Sequence, residues 1–113
     1  MKQRDVRKYL FDMKTAGELI ERFTMDKTLE DYVANPMLRA AVERQFEIIG
    51  EALSQASQAD PSFKERITDA ARIIAFRNRL IHGYSGVSDE VVWGVVTASL
   101  PRLMSEISDL LDD

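Results

Sequence analysis

Three polar groups and a tyrosine fall within eight residues of this chain: Arg77, Asn78, His82, the only histidine, and Tyr84. Each is of a type that does chemistry. An imidazole titrates near pH ~6.5 when unperturbed, so it can take or give a proton at neutral pH. A guanidinium stays charged. Arg77 therefore cannot act as a base, but its planar fork suits phosphate oxygens taken two at a time. Asn78 brings a donor and an acceptor on one amide. Tyr84 puts a phenol just past Gly83, a residue type that stops helices.

Spacing says which of these can meet. Wound at about 100° per residue, residues 67–82 place Ile67, Ala70, Ala71, Ile73, Ile74, Leu80 and Ile81 on one broad apolar arc. Arg77 and Asn78 project into the same arc. A buried amide costs about 2–7 kcal/mol unless it is paired or the arc opens onto a polar site, so these two are the residues to explain. Asn78 and His82 are four apart and share a face, whereas Arg77 and His82 are five apart and diverge by roughly 140°. Arg77 and His82 thus converge more naturally across a surface shared by two chains than within one straight helix. An ordinary account also stands: Arg77 snorkels from the core edge, Asn78 bonds to a neighbouring helix end, His82 caps a C-terminus before a left-handed Gly83, and Tyr84 packs.

Four long helices with short connections must position this segment. The first is expected from about Asp5, a plausible N-cap, to Phe23, with Val6, Leu10, Met13, Gly17, Ile20 and Phe23 alternating by threes and fours. Residues Met25 to Ala34 hold a short turn that Thr28 and Asp31 could cap. Asn35-Pro36 starts the second helix, because asparagine caps and proline suits the first helical position. That helix runs to about Ala56 on Leu38, Ala41, Val42, Gln45, Ile49, Ala52, Leu53 and Ala56. Gly50 costs it about 1 kcal/mol relative to alanine, so another backbone or a ligand is expected to pass close by. Glu51 beside it is a candidate partner for a polar group of the motif, or simply an exposed glutamate.

The pattern Ser62-x-x-Glu65 is a capping box that starts the third helix near Phe63, and this helix carries the motif to about Gly83. After a tight loop over residues 84–87, Ser88-Asp89-Glu90 caps the fourth helix. Its stripe is Val92, Val95, Val96, Ser99, Leu103, Met104, Ile107, Leu110 and Leu111, with a kink or short interruption expected at Pro101. The fold class is all-α, an up-and-down antiparallel four-helix bundle with one short extra helix.

Composition narrows the function. A chain of 113 residues makes one domain with a real core, and 45% hydrophobic with 30% charged residues reads as a soluble helical protein. With no cysteine there is neither a disulfide nor a thiolate metal site, and a single histidine argues against a histidine-rich metal centre. The start of the chain leads into a charged amphipathic helix with no apolar leader, and no run approaches membrane-spanning length, so a cytoplasmic location is expected. A net charge of −4 argues against a general nucleic-acid binder. The charge is uneven, however. Residues 64–79 carry Lys64, Arg66, Arg72, Arg77 and Arg79 against Glu65 and Asp69, while residues 89–113 carry six acids against Arg102 alone. A phosphate-bearing ligand should meet the third helix.

The string Arg77-Asn78-x3-His82-x-Tyr84 resembles the signature of the HepT-like branch of the HEPN superfamily. Arg4-Asp5 opening the first helix, Ile48-Ile49-Gly50-Glu51-Ala52 in the second and Val87-x3-Val91-Val92-Trp93 after the motif fit the same branch, so the resemblance spans nearly the whole chain. It implies the helical bundle reached separately from periodicity, and a homodimer in which two motifs face one cleft. It also implies a metal-independent endoribonuclease without a cofactor, the toxin of a toxin and antitoxin pair. Arg77 and His82 would be catalytic, Asn78 would orient the scissile phosphate or hold His82, and Arg79 would point away from the core and track the RNA backbone if it acts. Tyr84 would be where a minimal nucleotidyltransferase antitoxin attaches AMP and silences the toxin. The third and fourth helices and an exposed Trp93 region are candidates for the dimer seam. A second reading is a non-catalytic helical module that presents RNA or nucleotide to the nucleotidyltransferase; the acidic balance favours it slightly, and the intact Arg-Asn-x3-His-x-Tyr string favours the nuclease more. A helical adaptor with no nucleic-acid role is a third.

Overall fold

The computed structural model describes residues 2–82 and 86–112, with side chains from residue 6 onward. Among these, every regular element is helical: α1 Lys2–Thr24, α2 Leu29–Ala34, α3 Pro36–Ala59, a 3-10 helix Pro61–Glu65, α4 Ala70–His82, α5 Asp89–Gly94, a π-helical turn Val95–Ser99 and α6 Leu100–Leu111. Helix α1 begins at Lys2, so Asp5 lies inside it rather than capping it. Its seam of Val6, Leu10, Met13 and Ile20 is buried as the alternation predicts. Thr28 and Asp31 exchange the two bonds of a capping box, Asp31 N–H to Thr28 Oγ1 at 3.2 Å and Thr28 N–H to Asp31 Oδ2 at 2.9 Å. Asn35 Oδ1 accepts from Leu38 N–H at 3.1 Å, and Pro36 opens α3.

The third long helix departs from expectation at its start. Asp60 Oδ1 accepts from both the backbone N–H and the hydroxyl of Ser62, at 3.2 and 2.7 Å. This capture accompanies a 3-10 helix over residues 61–65 and takes the Ser62 backbone N–H that the Glu65 carboxylate of a capping box would bond. The α-helix resumes only at Ala70, and the chain just before it is tied to another element: Glu106 of α6 accepts from the backbone N–H of Thr68 at 3.2 Å and from its hydroxyl at 2.5 Å. Beside it the buried Asp69 faces Arg102 at 3.3 Å and Arg72 at 3.9 Å.

The expected interruption near Pro101 is a π turn. Leu100 N–H bonds to Val95 O, one residue beyond the α-helical partner, and Pro101 then lies in the first turn of α6, where its missing N–H leaves no hole. Helix α1 packs on α3 and α6, and α3 packs on α4. Arg7 at the start of α1 donates to the carbonyl of Leu111 at the end of α6, at 3.2 Å, so these two run antiparallel. The core includes Met13, Ile20, Val42, Ile49, Leu53 and Ile107, all fully buried. No described helix is long and apolar enough to cross a membrane.

Trp93, expected to be exposed, is half-buried on this core and tilts against the buried Tyr32 ring at 5.5 Å between centroids. Burial, and then the charges of Glu43 and Asp89, push the Tyr32 phenol up from its ordinary range. Glu43 is raised too, chiefly by burial and then by Asp89 and Glu47, with Arg39 opposing. A carboxyl raised in the folded state contributes stability while protonated and loses it as pH climbs past the ordinary value of 4.5. Glu43→Gln should therefore melt higher than the wild type at pH 7, and the gap should close below pH about 4.5; thermal melts across that range check both.

Candidate active site

Helix α4 turns a narrower face inward than its apolar residues suggest. Ala70, Ile73 and Phe76 are buried, with Phe76 edge-on to Phe46 of α3 at 5.4 Å, while Ala71, Ile81 and Asn78 are exposed. The phenylalanine pair anchors the helix and rotates Asn78 out of the core. Only Arg77 of the two polar residues keeps the inward position.

Arg77 gets there by crossing α3 at Gly50. A Cβ on Gly50 would overlap Cβ and Cγ of Arg77, so what passes closest is neither the backbone nor the ligand expected there but the arginine's own stem lying across α3. Beyond the crossing, Nη2 meets Glu51 Oε2 at 3.2 Å. The side chain of Arg77 is 17% exposed and that of Glu51 53%, so the pair straddles the boundary between core and water. Its carboxylate is held from the other side, where Gln55 Nε2 donates to Oε1 at 2.8 Å. The Glu51 and Gln55 spacing of four residues on α3 is the sequence signal for this contact, and it escapes a reading centred on the motif. Arg77 Nε is buried with no hydrogen-bond partner among the described residues.

His82 is exposed on the last turn of α4, where a basic side chain suits the helix dipole. Neither it nor the exposed Asn78, on the same helix face, makes a side-chain hydrogen bond among the described residues. Arg79 is exposed, and its Nη2 donates to the Gly86 carbonyl at 2.6 Å. One donor of that guanidinium therefore holds the connection between α4 and α5. Tyr84 lies outside the described residues. An open groove of about 330 Å³ adjoins the pair, with Tyr9 and Asp12 of α1, Arg44, Glu51 and Gln55 of α3 and Ile81 of α4 on its walls.

Chemically, one helix presents a fixed half-buried cation and, one turn further on, an exposed imidazole. Continuous helical geometry from Ala70 to His82 keeps the two apart in direction. A cation and a proton-transfer group are what phosphoryl chemistry requires. Among the described residues no cluster of three or more histidine, aspartate or glutamate side chains could hold a metal ion.

Among the described residues every regular element is helical, and α4 carries both an arginine and a histidine. The profile of the family described as ribonuclease HepT-like matches residues 13–110, and the chain belongs to that family. A candidate RNase of Methanocaldococcus jannaschii is 34% identical over 110 residues, covering 95% of this chain and 97% of the relative. A candidate ribonuclease HepT of Thermococcus cleftensis is 34% identical over 111 residues, covering 96% and 97%. A second M. jannaschii protein, named as a gamma-glutamylcyclotransferase and candidate RNase, is 34% identical over 113 residues, covering 98% of this chain but 50% of its own length. No solved structure matches the chain significantly.

Proposed function

We infer that this chain is a single HepT-like domain, an up-and-down four-helix bundle with one short extra helix, that cleaves RNA as a metal-independent endonuclease. The observation that carries this reading is the seating of Arg77. Its stem lies over Gly50 and its guanidinium against Glu51, while His82 stays exposed on the same helix, in a family whose relatives bear ribonuclease names. Because Arg77 and His82 diverge on one helix, the working site is composite. Two chains related by a two-fold axis bring two arginines and two histidines to one cleft.

In that cleft one His82 takes the proton of a ribose 2′-hydroxyl as its oxygen bonds to phosphorus. The two Arg77 forks stabilise the charge gathering on the phosphorane. The second His82 gives its proton to the departing 5′-oxygen as the P–O5′ bond breaks. The products are a 2′,3′-cyclic phosphate and a 5′-hydroxyl. Asn78, exposed on the His82 face, orients the scissile phosphate. Arg79 holds the loop first and reaches RNA only with its remaining donors.

The toxin and antitoxin reading rests on the Tyr84 position in the family string. A minimal nucleotidyltransferase adds AMP there, placing negative charge and bulk two residues from His82. Unmodified protein should cleave RNA, lose that activity when the nucleotidyltransferase and ATP add AMP masses, and as Tyr84→Phe cleave without being silenced. Silencing of Tyr84→Phe to the same extent would remove Tyr84 from the account.

A further inference from the structure

The α3 residues that hold Arg77 form a seat with more parts than an ion pair. Gly50 leaves the space in which the Arg77 stem crosses. Glu51 takes Nη2 with one carboxylate oxygen, and its other oxygen is fixed by Gln55 at 2.8 Å. Nε and Nη2 share one edge of the guanidinium. Nε is buried without a hydrogen-bond partner among the described residues and Nη2 lies 3.2 Å from Glu51 Oε2, so the edge that Nη1 forms with the second N–H of Nη2 is the one left to face a phosphate.

Glu51 alone would hold the arginine loosely. Its carboxylate is about half exposed, and a single contact of this kind is screened and costs side-chain entropy to maintain. Gln55, itself exposed, adds a second contact at the other oxygen, which narrows the directions in which the carboxylate can present Oε2. We propose that Gln55 is a positioning residue, acting through Glu51, and that together with the Gly50 crossing it fixes the direction in which the Arg77 guanidinium faces a phosphate. This rests on the reading of Arg77 as the phosphate-binding cation of a ribonuclease.

The test compares Gln55→Met, which keeps the length and loses the donor, with Gln55→Lys, which keeps a donor to Glu51 four residues before it. Gln55→Met should lower kcat on RNA about threefold with KM little changed, and Gln55→Lys should recover most of that loss. The loss should vanish when Glu51 is already alanine. Gly50→Ala should lower kcat about a hundredfold by displacing the stem. Because it can also disturb the helix packing, Gly50→Ala combined with Arg77→Gly should restore the melting temperature without restoring cleavage. Equal rates in Gln55→Met and the wild type, equal losses in Gln55→Met and Gln55→Lys, or a loss that persists without Glu51 would overturn the proposal.

A readout that needs no activity separates this from failure of the ribonuclease reading. Proton exchange at Arg77 Nε–H, followed by NMR, should quicken at least about threefold in Gln55→Met and not in Gln55→Lys, as the inner edge loses its protection. Unchanged exchange in Gln55→Met would refute the seat even in a chain that cleaves RNA. Quickened exchange in a chain that cleaves nothing would keep the seat and discard the ribonuclease.

Discussion

His82→Ala should abolish RNA cleavage, by about 10³-fold or more, while leaving the melting temperature within a degree or so of the wild type. The size follows from the composite cleft. One substitution removes both the base and the acid, because each chain supplies one of them, and positioned proton transfer contributes about 10²–10⁴-fold. The unchanged stability follows from the side chain's place on the last turn of α4, exposed and without a hydrogen bond among the described residues. Surface changes of that kind move stability by less than about 0.5 kcal/mol. Cleavage assays and thermal melts on the same preparation check the pair of outcomes. A large loss of stability would mean that His82 holds the fold.

Arg77→Ala should cost cleavage on a similar scale, about 10³-fold, and should behave differently in stability. The stem covers the α3 backbone at Gly50, so its removal uncovers apolar surface and leaves Glu51 without its cation. Against this, the truncation also removes a buried Nε that has no partner among the described residues, so the net change should stay near 1 kcal/mol. Arg77→Lys decides what the guanidinium is for. Lysine keeps the charge and most of the stem but not the two-pronged fork. It should recover the stability and only a small part of the rate. Full recovery by lysine would reduce Arg77 to a point charge.

Much of this was legible before the structure, and the reasons differ by element. Local chemistry marked the Thr28 and Asn35 caps, because each is decided by side chains within three residues of the helix it starts. Gly50 announced a close passage, because a glycine inside a long amphipathic helix costs stability that something must offset, and the passage is Arg77 itself. The start of α4 falls later than expected because Asp60 takes the Ser62 N–H that Glu65 would need, and because Thr68, just before the helix, is tied to Glu106, 38 residues further on, which no local pattern announces. Periodicity also put Asn78 in the core. An arc drawn from aliphatic residues left out Phe76, whose ring against Phe46 sets the rotation of the helix. Gln55 was invisible for a related reason: it acts two contacts away from the motif, through Glu51.

The measurement that bears most directly on the central claim is the end chemistry of RNA cut by the purified chain in EDTA. Its mass should first be checked to show no AMP on Tyr84. Cleavage should persist without divalent metal and leave 2′,3′-cyclic phosphate and 5′-hydroxyl termini, with neither product formed by folded His82→Ala. Cleavage that requires a divalent metal and leaves 5′-phosphates, or cleavage that survives in His82→Ala, would contradict that claim.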